Sequence, residues 1–237
     1  EKYIKEYGEK IKLIIPVHFS GLPVDIDYFN DISGKYGIPI IYDAAHAVFS
    51  EYKGKMIGQF GEMSCFSFYA TKNLTMGDGG IITTNNDYYA EQCRLWSYHG
   101  LPKDAWQRYS KEANSPHVQC IVPGYKFNLT DLQAALGLAQ LKRKDRLLKK
   151  RNELFSYYNK LFKDFDAIKT PILETENGRW GNHVYVIKLI NEDIKRDDLM
   201  MVLKNIILVL IFIFIQFIRI IIMKKNTLML IYQMQNG

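Results

Sequence analysis

The feature that most constrains this chain is an alternation, over residues 1–100, of short apolar runs with segments of helical spacing. IKLIIPVHF (11–19), IPIIYDAA (38–45), MSCFSFYA (63–70) and GGIITT (79–84) have the length and composition of buried strands. Between the first two, 25–36 has helical spacing, with Asp25 or Asp27 able to cap its start and Gly37 just past its end. Asp87–Tyr98 reads as a further helix that begins on an acid. Strands alternating with helices predict an α/β layered domain on a largely parallel sheet. Further on, Asn128–Arg151 reads as one long helix capped by Asn128 or Thr130. Glu153–Phe165 reads as a second amphipathic stretch and HVYVIKLI (183–190) as a strand. A shift of composition near 150 predicts a large domain over 1–150, the start of a small one over 151–205, and an apolar tail over 206–237.

Charge and cysteine usage narrow the function. The net charge of +6 is spread along the chain, with one cluster at Lys142–Arg151, which describes a solvated surface rather than a nucleic-acid stripe. The three cysteines, Cys65, Cys93 and Cys120, include no CxxC pair. That argues against a disulfide framework and against a zinc site, and fits a reducing cytoplasm. No metal site is expected. The opening EKYIKEYGEK is no signal peptide and reads as the middle of a protein.

In open α/β sheets, ligands bind beyond the carboxyl ends of strands. Asp43 follows IPIIY and Lys72 follows CFSFYAT, so an acid and an amine leave two strands of one sheet and can converge on one ligand. Pyridoxal phosphate (PLP) needs such a pair: a lysine to form an imine with its aldehyde, and a carboxylate to keep its ring nitrogen protonated. Ser67 offers the phosphate a hydroxyl, and Gly77-Asp78-Gly79-Gly80 a backbone that can approach closely. Each residue also has a plain structural reading. Asp43 can be a cap or turn residue, Lys72 an exposed side chain, the glycine run a tight turn, and His46 a satisfied core histidine.

Three blocks in order carry a resemblance: VHFSGLPVDID (17–27), IPIIYDAAHAVFSEYKGKMIGQFGEMSCFSFYATKNLTMGDGGIITTN (38–85) and PGYKFNLTDLQAALGLAQL (123–141). On these the chain resembles the DegT/DnrJ/EryC1/StrS family of PLP-dependent sugar aminotransferases. The resemblance implies the fold of type I PLP-dependent transferases, as a partial large domain with a remnant of the small one. By its motifs, Asp43 in YDAAH matches the pyridine-nitrogen carboxylate and His46 the residue beside the ring hydroxyl. Ser67 in FSFYATK matches a phosphate ligand, and Lys72 the Schiff-base lysine. Asn128 in GYKFN matches an asparagine that reaches the cofactor phosphate of a neighbouring subunit, so a homodimer is implied. A lysine at 72, where a few relatives that dehydrate sugars carry histidine, implies amino transfer. The donor implied is glutamate, the acceptor a nucleotide-linked keto sugar, and the setting glycan biosynthesis in the cytoplasm. HGLPKDAWQRY (99–109) resembles the branch acting on 4-keto sugars.

Two departures accompany the resemblance. The family's preceding segment, which supplies a further phosphate turn and a ring-stacking aromatic, is expected to be missing. After Lys204 the relatives' pattern gives way to NIILVLIFIFIQFIRIII. Back-translated with permitted codons and read from the third base of each, Ile206–Arg219 becomes NIGTNIHFYPVHK, close to the family's segment. A change of reading frame near Asn205 is therefore expected. The other readings of the tail are a membrane span, for which Ile206–Met223 is near the minimum length, and a buried helix or pair of strands, given its Ile and Val content. The alternative to an enzyme is a non-catalytic gene fragment that adheres to membranes through this tail.

Overall fold

The protein is described from a computed structural model, whose described residues are 1–102, 120–207 and 221–224. Most of HGLPKDAWQRY and most of the apolar tail lie outside them. The chain divides into two units, Glu1–Lys144 with Asn177–Gly181, and Asp145–Glu176 with Asn182–Gly237.

The first unit begins with α1 (Lys2–Tyr7) and holds α2 (Ile26–Tyr36), β1 (Ile41–Asp43), β2 (Glu51–Tyr52), β3 (Lys55–Met56), β4 (Met63–Ser67), β5 (Gly80–Thr83), α3 (Asp87–Ser97) and α4 (Asp131–Leu141). Asp25 caps α2 by accepting from Tyr28 N, and Gly37 closes it at φ 62°, ψ 30°, a left-handed conformation that suits glycine. β1 and β4 pair in parallel, with Asp43 opposite Cys65. β5 pairs with β4 antiparallel, Ser67 opposite Gly80, so the sheet is less uniformly parallel than expected. The β4–β5 connection holds turns instead of a crossover helix, and the chain comes back alongside the strand it left. The strand expected over 11–19 is reduced to two parallel bridges, Ile14 to Ile40 and Val17 to Asp43. Pro16 lies between them and has no N–H to give a ladder.

Alternation along β1 turns Tyr42 fully inward and leaves Ile41 and Asp43 half-buried. Tyr42 joins Ile26, Ile40, Ala44, Ala47, Tyr52 and Ile57 in the core of this unit. β2 and β3 form a hairpin through Lys53 and Gly54, both at positive φ (47° and 76°), the conformation of the tightest hairpin turns. β8 (Gly178–Arg179) pairs antiparallel with β2.

In the second unit, α5 (Lys144–Leu161) buries Leu148, Arg151 and Phe155. Phe155 packs edge-on against Tyr185, ring centroids 5.1 Å apart, beside Ile187. The unit also contains β6 (Ile168–Lys169), β7 (Glu174–Thr175), β9 (Val186–Leu189), α6 (Arg196–Ile207) and β10 (Ile221–Lys224). β9 pairs antiparallel with β6 and parallel with β10. The single helix expected over 128–151 is two. α4 ends where Arg143 N turns to Gln140 O at 2.9 Å, and α5 then absorbs the stretch expected over 153–165 as far as Leu161. Among the described residues, no helix is long and apolar enough to cross a membrane.

Candidate active site

Asp43 is the last residue of β1 and Ser67 the last of β4, on adjacent parallel strands, so both stand at the carboxyl edge of the sheet. Asp43 is held on three sides. Its N–H donates to Pro16 O (3.0 Å), its carbonyl accepts from His18 N (3.0 Å), and its Oδ1 accepts from Ala45 N (3.0 Å). The carboxylate is thereby turned toward the loop that follows β1. Ser67 Oγ accepts from Tyr69 N at 3.4 Å.

Lys72 is half-buried on the loop beyond β4, where its N–H donates to Tyr69 O at 2.9 Å. The neck of this loop is closed by Phe68, which accepts from Met76 N (2.9 Å) and donates to Gly79 O (2.8 Å). His46 lies on the loop after β1. Its Nδ1 accepts from Ser20 N (3.2 Å), and its ring lies 5.9 Å from that of Phe19.

The two loops meet at Gly181. Asn73, next to Lys72, donates from Nδ2 to Gly181 O. Gly181 N donates to Ser50 Oγ (2.9 Å), and Ser50 Oγ donates to Gly21 O (2.6 Å). A Cβ at Gly181 would stand 3.0 Å from Ser50 Oγ and 3.2 Å from His46 O, so the position favours glycine. Asp43, His46, Ser67 and Lys72 thus belong to one edge of one sheet and its two loops. Asn128 does not. It is exposed, in the segment that enters α4 just ahead of the cap residue Thr130.

Three residues here escaped the sequence reading: His18, Asn73 and Gly181. His18 is fully buried and stacks on Tyr42, centroids 4.9 Å apart. Its Nδ1 accepts from Val24 N (3.1 Å), which leaves the ring proton on Nε2. Burial lowers its pKa to about 4, against a smaller opposing pull from the Asp43 carboxylate, so it is neutral at neutral pH. The signal available was its place at the end of the apolar run 11–19. Burial, Asp43 and Cys93 all push up the thiol pKa of Cys65, opposite Asp43, which disfavours its thiolate. Among the described residues no cluster of metal ligands occurs.

A carboxylate, an imidazole, a hydroxyl and an amine at one sheet edge can hold a proton on a ring nitrogen, donate to a phosphate, and supply a nucleophilic amine. SpsC of Bacillus subtilis, a spore coat polysaccharide biosynthesis protein, is 43% identical over 180 residues, 76% of this chain and 46% of SpsC. Helicobacter pylori PseC, an aminotransferase of pseudoaminic acid biosynthesis, superposes with a TM-score of 0.74 at 29% identity, over 84% of this chain and 51% of that one. Spr1654 of Streptococcus pneumoniae, in its PLP-form, matches with a TM-score of 0.70 at 27% identity, over 82% of this chain and 52% of that one. The chain spans about half the length of the curated relatives it matches. The fold is the α/β fold of type I PLP-dependent transferases, represented in part. Residues 1–221 match the sequence model of the DegT/DnrJ/EryC1/StrS aminotransferase family, and the chain belongs to that family.

Proposed function

We propose that this chain carries the cofactor half of a PLP-dependent aminotransferase that moves an amino group from glutamate to a nucleotide-linked keto sugar, for cell-surface glycan biosynthesis in the cytoplasm. The observation that carries the reading is the shared sheet edge: Asp43 and Ser67 end neighbouring parallel strands, and Lys72 stands on the loop just beyond. The donor set fits PLP, with an acid for the ring nitrogen, a hydroxyl for the phosphate and an amine for the aldehyde. When bound, PLP supplies a ring that withdraws electrons from the carbon beside the transferred nitrogen.

The protein's part is to hold and move protons. Asp43 keeps a proton on the ring nitrogen, its carboxylate fixed by Ala45 N. His46 would face the ring hydroxyl, its proton kept on Nε2 because Ser20 N occupies Nδ1. Ser67 Oγ would donate to the phosphate, and the Lys72 amine would hold and return the proton that moves in amino transfer. Asn128 serves the phosphate of a second subunit. Its exposure supports this, as do the exposed Phe127 and Leu132 nearby, 73% and 85% accessible, which make an apolar surface suited to a partner.

Borohydride reduction after incubation with PLP tests the reading. A pyridoxyl group fixed on Lys72, and its complete loss in Lys72→Ala, is expected by mass spectrometry. A wild-type protein that takes no label would instead support the non-catalytic fragment. The change of frame near Asn205 belongs to the same reading, and one continuous frame in the gene, with no family-like alternative, rejects it.

A further inference from the structure

The loop that carries Lys72 is closed at its neck by Phe68, Met76 and Gly79, and that neck rests on the start of α4. Three contacts join them. Gln133 Nε2 donates to Asp78 O at 2.9 Å. A Cβ on Gly137 would come within 2.3 Å of Met76 Cε and 2.9 Å of Met76 Cγ, so Met76 lies directly over that glycine. A Cβ on Gly79 would meet Met76 Sδ at 3.2 Å and Leu129 Cδ1 at 3.3 Å.

Gln133 has two tasks. Its Oε1 accepts from Thr130 N (3.1 Å) and, with its own N–H donating to Thr130 Oγ1 (3.4 Å), closes the capping box that starts α4; Oε1 also accepts from Thr130 Oγ1 (2.7 Å). Its Nε2 holds the Asp78 carbonyl. Without that donor, the turn from Gly77 to Gly80 keeps the backbone bond from Phe68 N to Gly79 O and the pairing of Gly80 with Ser67, while Gly77 and Asp78 keep only local bonds, from Gly77 N to Thr75 Oγ1 and from Gly79 N to Asp78 Oδ1. Gly77 and Gly79 have positive φ, 82° and 158°, and glycine brings little stiffness of its own.

We propose that Gln133 is a positioning residue, which ties the first turn of α4 to the neck of the Lys72 loop and so fixes Lys72 and Ser67 for cofactor. This rests on the PLP reading above. It touches no reacting atom. It acts through Asp78 O, Gly79 and Phe68, the residue that separates Ser67 from the loop.

The two tasks can be separated. Gln133→Glu keeps an acceptor for the Thr130 cap and removes the donor to Asp78 O. Amide hydrogen exchange over 68–80 is measured without PLP, and PLP affinity by absorbance titration, with the melting temperature as the measure of folding. Faster exchange over 68–80 and a PLP affinity weaker by roughly three- to tenfold, at near wild-type melting temperature, are expected, the range one hydrogen bond carries. Unchanged exchange in Gln133→Glu overturns the clamp. Faster exchange with unchanged PLP affinity overturns its role in positioning. If Gln133→Glu fails to fold, Gln133→Met, which loses the cap as well, decides by the same exchange measurement beside Thr130→Ala, which loses the cap alone. Equal exchange over 68–80 in those two overturns the proposal. Failure of the wild-type protein to take PLP refutes the function reading, while exchange in the PLP-free protein still judges the clamp.

Discussion

Each unit buries a basic side chain, and the two solve the problem in opposite ways. In the first, His18 is enclosed beside Asp43 with its Nε2 unpartnered, and burial brings its pKa down to about 4. It stays folded by staying neutral. In the second, burial lowers Arg151 only to about 10, so it keeps its charge at neutral pH. Its Nη1 donates to Asn182 O (3.0 Å) and His183 O (3.3 Å). A guanidinium among carbonyls is a structural rivet, whereas the neutral imidazole sits beside Asp43, the carboxylate proposed above to face the cofactor ring.

The sharpest way to break this contrast is to remove the rivet. Arg151→Ala strips two buried carbonyls of their donor and leaves a cavity, and should cost about 3–5 kcal/mol in denaturant unfolding. A loss under about 1 kcal/mol would mean that water replaces the guanidinium readily.

Next in size is acid. Unfolded His18 titrates near 6.5 and folded His18 near 4, so in that window the unfolded chain binds the extra proton. Its contribution to stability is intact above 6.5 and falls away as pH is lowered to about 4, by on the order of 3 kcal/mol. His18→Asn offers Val24 N an acceptor and cannot titrate, so its stability should lack this slope, while Arg151→Ala should retain it. Equal slopes in wild type and His18→Asn would dissolve the distinction between the two pockets. Smallest is Asn73→Ala, which releases Gly181 O and should lower stability by about 1–2 kcal/mol. The borohydride label on Lys72 should decrease in the same variant, and an undiminished label would detach the Gly181 junction from the site.

Local signals explain what could be read in advance. Asp25 and Gly37, both singled out in the sequence, mark the ends of α2, and Thr130, one of two caps expected, the start of α4, because caps act within one turn of chain. The apolar runs at 38–45, 63–70 and 79–84 each hold a strand, shorter than the run, since apolar residues beside a strand also pack. The break between α4 and α5 falls at Lys142 and Arg143, where no glycine or proline announces it. The β2–β3 hairpin had a signal in Lys53-Gly54, but strands of two residues show no periodicity. Asp43 and Lys72 could be placed at strand ends from sequence. That Asn73 and His46 share Gly181, more than a hundred positions along the chain, could not, because only the fold brings them together.

The short return of Asn177–Gly181 into the first unit means that no single cut separates the two. A recombinant piece ending at Lys144 would lose β8 as the partner of β2, and with Gly181 the acceptor that steadies the peptide after Lys72. Dissection of this protein by limited proteolysis therefore calls for three scissions, after Lys144, Glu176 and Gly181, and a retained pentapeptide.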